Sequence, residues 1–237
     1  MEIKALQLKK NYKDHTVLHI PELTIPGGQI FGLLGNNGAG KTTFLRLALD
    51  LIKADEGYVT MGTNKVNESE EWKKYTGSFL DQSFLLDFMK PEEYFYFLGE
   101  LYDIRKQEIE DKIHRIQQFF GGEVVGLKGK LIRSLSTGNK QKCGIAGALF
   151  VNPKVVILDE PFNSLDPSSQ ILLKLLLKDM NQKYGTTIIV SSHDLNHVSE
   201  LCQRVVILEK GLIVKDMEAN ENTLEELKSY FYQSISL

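Results

Sequence analysis

A chain of 237 residues, 42% hydrophobic and 25% charged with a formal net charge of −3, has the composition of a soluble globular protein. The slightly acidic balance gives no electrostatic reason to expect nucleic acid as a partner, and no apolar run approaches the ~18 residues that cross a membrane. The start, MEIKALQLKK, lacks the apolar stretch of a signal peptide, and Cys143 and Cys202 lack metal-ligand spacing, which points to reduced thiols in a cytosolic compartment.

The first strong element is IFGLL (30–34), an apolar run without polar alternation, as in a strand buried on both faces of a parallel sheet. It leads through GNNGAGKTT (35–43) into helix-like sequence, TTFLRLALDLI (42–52). PEEYFYFLGELYD (91–103) and KQEIEDKIHRIQQFF (106–120) have helical period, with a loop, GGEVVGLKGK, after them. A polar, glycine-centred stretch, LSTGNKQK (135–142), precedes the apolar helix-former GIAGALF (144–150). VVIL (155–158) reads as a second buried strand. After it, Asp166 caps and Pro167 opens a helix expected to turn Leu172, Leu173, Leu176 and Met180 inward. TIIV (187–190) is a third buried strand, RVVILEKGLIVKD (204–216) reads as a hairpin turning at Glu209–Gly211, and Thr223 with Glu226 is spaced as a capping box. Strands alternating with helices predict an open, largely parallel α/β sheet. Residues 1–237 read as one domain, with a helical insertion at roughly 84–148.

Two segments carry chemistry. GNNGAGKTT fits G-x-x-x-x-G-K-[ST], leaving a strand and opening a helix. Gly35, Gly38 and Gly40 let the backbone wrap so that its N–H groups face phosphate oxygens, Lys41 reaches the β/γ-phosphates, and the Thr42 hydroxyl is a ligand for Mg²⁺. Asn36, Asn37, Gly38, Ala39, Gly40, Lys41, Thr42 and Thr43 are therefore the candidate nucleotide-binding residues of this loop. VVILDEP (155–161) ends a buried strand in Asp159, a carboxylate for the same metal, and Glu160, placed to act as base or water-positioner.

With these in place, the order of motifs resembles the ATP-binding cassette (ABC) ATPases along nearly the whole chain. The resemblance implies a phosphate-loop NTPase fold, RecA-like, with a mainly parallel core, an antiparallel β subdomain and the helical insertion. It implies that Tyr12 stacks on adenine, that Gln82 in FLDQSF touches Mg²⁺ and the attacking water, and that His193 in SSHDL (191–195) meets the γ-phosphate. NSLDP (163–167) is similar to the loop whose Asp166 crosses the subunit interface. LSTGNKQK resembles the signature, which in this family closes over ATP held by the partner cassette, so Ser136 and Gly138 would act in trans. Thr137 and Asn139 depart from the usual Gly and Gln of Leu-Ser-Gly-Gly-Gln. Thr137 crowds the nucleotide edge with a β-branched side chain, while Asn139 keeps the same amide groups.

The activity implied is ATP hydrolysis coupled to closing of a head-to-tail dimer, either with a second copy or with a related cassette. The cassette would be peripheral on the cytoplasmic face of a membrane and would drive a separate polytopic permease docking near Gln82 to Met89. Phe84, Leu85, Phe88 and Met89 would line the groove or pack inside the insertion. The region around SLSTGNKQK leans toward exporter-type cassettes. The alternative is a soluble ABC ATPase in a non-transport complex such as metal-cluster assembly.

Overall fold

The computed structural model describes residues 1–119 and 129–235. The chain opens with two long antiparallel strands, β1 (Ile3–Tyr12) and β2 (His15–Ile25). Along β1 the buried side chains are Ile3, Ala5 and Leu8; the alternation skips a residue at Gln7, where a φ of 49° and a shift of register mark a bulge. Next come β3 (Ile30–Leu34), buried at every position, and α1 (Lys41–Ala48). The helix is shorter than the one read over 42–52, because the chain turns away at Leu49 and Asp50, whose φ is 51°. β4 (Glu56–Met61) pairs with β1 and with the short β5 (Asn64–Lys65), completing an antiparallel sheet in the order β2-β1-β4-β5.

β6 (Thr76–Phe79) is followed by three helices, α2 (Pro91–Leu101), α3 (Lys106–Phe119) and α4 (Thr137–Leu149). Residues 121–128 of the expected GGEVVGLKGK loop lie outside the described residues. The chain then forms β7 (Val155–Leu158), α5 (Pro167–Tyr184), β8 (Thr187–Ser192), α6 (Leu195–Leu201), β9 (Arg204–Glu209), β10 (Leu212–Glu218) and α7 (Thr223–Ile235). The main sheet has the order β10-β9-β3-β8-β7-β6, parallel except for the β9–β10 hairpin. This is the expected phosphate-loop NTPase architecture, with its antiparallel sheet and helices.

Period-two side-chain alternation sends one set of strand residues to each face. Phe31, Leu33, Ile157 and Ile189 join the antiparallel sheet and α1, whereas Ile30, Leu34, Leu158 and Val190 join the core built with α2, α4, α5 and α6. From β3 the chain runs to the far edge at β6, returns through β7 and β8, and crosses β3 to reach β9. That reversal leaves the C-terminal ends of β3, β7 and β8 side by side, the usual place for a ligand in an open α/β sheet.

Two expectations are corrected, and one of two open alternatives is resolved. On α5, Leu173, Leu177 and Met180 are buried and Leu176 packs beside them, but Leu172 is turned outward. The cap of α7 sits earlier than Thr223: the Asn220 side chain accepts from Asn222 N–H, and the Thr223 hydroxyl accepts from Asn220 N–H. Leu85 is buried in the core with Phe95 and Ile132, so it does not line an open groove, while Phe84 and Phe88 are exposed.

Candidate active site

Residues 35–40 fold back between β3 and α1, and sterics dictate glycine at two of them. A Cβ on Gly35 would stand 2.4 Å from the Leu208 carbonyl, and Gly40, just before α1, has a φ of 108°. The turn delivers Lys41 into a buried position, where Nζ donates to the Gly35 carbonyl at 2.6 Å. α1 begins at Lys41 directly after this turn with no side-chain cap, so the partial positive charge of its N-terminus lies at the same loop.

β7 supplies the acids. Asp159 is buried, and its Oδ2 accepts from Thr42 Oγ1 at 2.5 Å while its Oδ1 accepts from the Ser191 hydroxyl. Ser191 Oγ in turn accepts from Glu160 N–H at 2.9 Å, which ties the end of β7 to the end of β8. Glu160 has a left-handed φ of 46°, a conformation that a non-glycine residue keeps only when its surroundings hold it. Its carboxylate bridges two cations or potential cations: Oε1 lies 3.3 Å from Lys41 Nζ and Oε2 lies 2.9 Å from His193 Nδ1. Beyond that ion pair, Oε1 is buried and has no hydrogen-bond partner among the described residues, so it retains acceptor capacity.

Lys41, Thr42, Asp159, Glu160 and His193 thus form one network across three strand ends. Ser191 was not singled out from the sequence, although it opens the quoted SSHDL; a hydroxyl at the end of a buried strand beside VVILDE was the available signal.

Residues 18–163 match the family described as ABC transporter. The chain belongs to the ABC transporter family. It is the ATP-binding, ATP-hydrolysing component of that family. The ABC transporter ATP-binding protein YhcH of Bacillus subtilis is 32% identical, over 97% of this chain and 75% of its own length. The bacitracin transport ATP-binding protein BcrA of Enterococcus faecalis is 32% identical, over 92% of this chain and 70% of its own. In fold, the ATP-binding cassette MJ0796, solved as a dimer in a post-hydrolysis state with ADP and Pi, superposes with a TM-score of 0.82 at 24% identity. It covers 92% of this chain, and this chain covers 99% of it.

The remaining candidate residues of this ABC ATPase lie apart from the strand-end network. Ser136 is exposed and caps α4, accepting from Asn139 N–H at 3.2 Å. Gly138 is pressed on the loop after the acids: a Cβ there would stand 2.7 Å from the Ser164 carbonyl. Among the described residues no hydrogen bond or ion pair links Ser136 or Gly138 to residues 35–43. Gln82 is not in the acidic cluster; its Nε2 donates to the Thr137 carbonyl at 3.0 Å. Tyr12 ends β1 half exposed, with Lys10 Nζ 5.5 Å from its ring centre, while Val17 of the neighbouring β2 packs beside Gly40. Asp166 caps α5 as expected, accepting from Ser169 N–H at 3.0 Å. His197, which no motif claimed, packs on Phe162 at 4.4 Å, and burial lowers its pKa.

Proposed function

We propose that this ABC ATPase works as one half of a head-to-tail pair with a second copy of itself, closing on ATP and Mg²⁺ to drive a separate polytopic membrane permease in the export direction. The observation that carries the reading is the convergence of Lys41, Thr42, Asp159, Glu160 and His193 at the mouth of α1, while the exposed Ser136 has only a backbone partner. In this reading the backbone of Asn36 to Gly40, with Thr43 behind it, cradles the phosphates, and the exposed Tyr12 ring receives the adenine. Ser136 and Gly138 cover the nucleotide of the other copy, and Asp166 reaches across the same interface.

The γ-phosphate takes the Lys41 ammonium away from Glu160, and Glu160 Oε1 becomes free to accept from a water. That water attacks the γ-phosphorus, its proton passes toward Glu160, and the bond to the β–γ bridging oxygen breaks to leave ADP. In this reading His193, which meets Glu160 through Nδ1 at 2.9 Å, exchanges that contact for one to the γ-phosphate and donates to its oxygens. Thr42 and Asp159 offer two hard oxygens that already meet, a donor set that suits Mg²⁺. When bound, the ion neutralises charge on the phosphates. Gln82 joins this set only after releasing the Thr137 carbonyl.

No helix of the described residues is long and apolar enough to cross a membrane. In this reading the membrane-spanning part is the separate permease. Phe84 borders a groove of about 260 Å³ that Leu49, Leu51 and Trp72 also line, and Phe88, four residues on in the chain, is exposed. Apolar side chains open to solvent beside such a groove suit an amphipathic helix of the permease.

Glu160→Gln is the test. Turnover should fall by roughly 10²–10⁴, as for loss of a positioned base, while ATP still binds. The tagged variant should also retain one stoichiometric polytopic protein when purified with ATP and Mg²⁺ from gently solubilised membranes. Wild-type turnover would reject the assignment of Glu160, and a clean soluble complex would reject the permease.

A further inference from the structure

One histidine has no part in the chemistry above. His197 lies on α6, which follows directly from the loop that carries His193. Asp194 caps this helix, accepting from Asn196 N–H at 2.8 Å, and Ser192 Oγ accepts from Asp194 N–H at 2.9 Å. Val198 and Leu201 are buried and seat α6 in the core, with Val198 against Gly32 of β3. The direction of α6 therefore bears on where the His193 loop stands.

The centre of the His197 ring lies 4.4 Å from that of Phe162, two residues beyond Glu160. Lys174 of α5 stands 5.5 Å from the same Phe162 ring and pairs with Glu200 of α6 at 2.6 Å. Hydrogen bonding does not explain the histidine. Its Nδ1 is buried with no partner among the described residues, and Nε2 stands 3.9 Å from Asp194 Oδ2, beyond hydrogen-bond reach. Burial, then the Lys174 ammonium, lower its pKa, so the ring is predominantly neutral at pH 7. What the side chain supplies is a packed aromatic contact.

The His193 loop and the loop after β7 are thus joined by two rungs. His193 meets Glu160 at 2.9 Å, and His197, four residues on, meets Phe162. In the reading above, the first rung is given up when His193 turns to the γ-phosphate. The second contains no group that phosphate can draw away.

We propose that His197 is a positioning residue for hydrolysis: its ring, packed on Phe162, keeps the His193 loop docked beside Glu160 once His193 has exchanged Glu160 for the γ-phosphate. The proposal rests on the roles given to Glu160 and His193 under the proposed function. His197 touches no reacting atom; it acts through Phe162 and the start of α6.

The test compares His197→Ala, His197→Phe, Phe162→Leu and the His197→Ala/Phe162→Leu double variant with the parent protein. Turnover at saturating ATP, ATP affinity of the monomer and Tm are measured on each. His197→Ala should turn over about ten-fold more slowly, as expected when a reacting group is misplaced from a distance, while monomer affinity stays within about twofold. His197→Phe keeps an aromatic ring on Phe162 and should regain turnover to within about twofold of the parent. Phe162→Leu should lose turnover as His197→Ala does. The double variant should be no slower than the slower single variant, because both changes remove the same contact.

Parent turnover in His197→Ala overturns the proposal. So does a loss that His197→Phe shares in full, a loss that merely tracks Tm, or losses that multiply in the double variant. Monomer affinity that falls as far as turnover overturns it too, since the defect would then lie in binding. If His197→Ala does not fold, Phe162→Leu takes its place, and parent turnover there overturns the proposal equally. Failure of the underlying reading shows separately, as Glu160→Gln or His193→Ala protein with parent turnover.

Discussion

At the ends of β3, β7 and β8 each functional side chain already faces another of the same chain: Lys41 against Glu160, Glu160 against His193, Thr42 against Asp159. At the start of α4 the situation is reversed. Ser136 and Thr137 are exposed, and their neighbours are backbone groups and the Gln82 amide. The first region is held by contacts among its own side chains, one of them the Lys41–Glu160 ion pair, which bound phosphate would separate in the proposed reading. The second is an open helix end, and in the proposed reading it gains its role only against a second cassette. Variants in the two regions should therefore fail differently.

Removing a charge from the strand-end region acts on binding itself. Lys41→Ala should weaken ATP affinity of the monomer by roughly 10–100-fold, the loss expected for a charged hydrogen-bond donor, as read by titration calorimetry. Unchanged affinity would take Lys41 out of the phosphate site. Ser136→Ala should sharpen the contrast: monomer affinity is unaltered, and turnover falls roughly 10–100-fold because closure loses one donor to a charged phosphate. Loss of monomer binding in that variant would mean that α4 serves its own chain's nucleotide.

The smallest expected effect concerns the wall behind α4. Burial pushes the Cys143 and Cys202 thiols up to about 12 each, so neither forms thiolate near neutral pH. Thiol reagents at pH 8 should label neither residue in the native protein and both after denaturation. Rapid labelling of native Cys143 would show that α4 is not packed on the sheet as described.

The strand-end region was legible in the sequence because its signals are local. IFGLL, VVIL and TIIV are buried on both faces and so lack polar alternation, and the glycine loop and the Asp166–Pro167 cap are each contained within a few residues. Errors arose where two local readings compete or where tertiary contacts decide. ILLKLLL offers apolar residues on every side of α5, so packing alone selected Leu177 over Leu172. Asn220 and Thr223 can each cap a helix, and the chain uses both, with the cap at Asn220. The end of α1 at Ala48 is marked by no glycine or proline. Gln82 turning to Thr137 and the burial of Lys142 depend on segments far apart in the chain, which no window of sequence displays.

The central claim is that the two regions complete each other between copies, and mixing two disabled variants tests it most directly. Lys41→Ala and Ser136→Ala chains are combined in equal amounts and ATPase turnover is compared with that of each alone. Half the pairs would then be mixed, and each mixed pair would hold one site built from an intact Lys41 and an intact Ser136. The account predicts that the mixture regains up to about a quarter of parent activity. Activity no greater than the average of the two separate variants would contradict it.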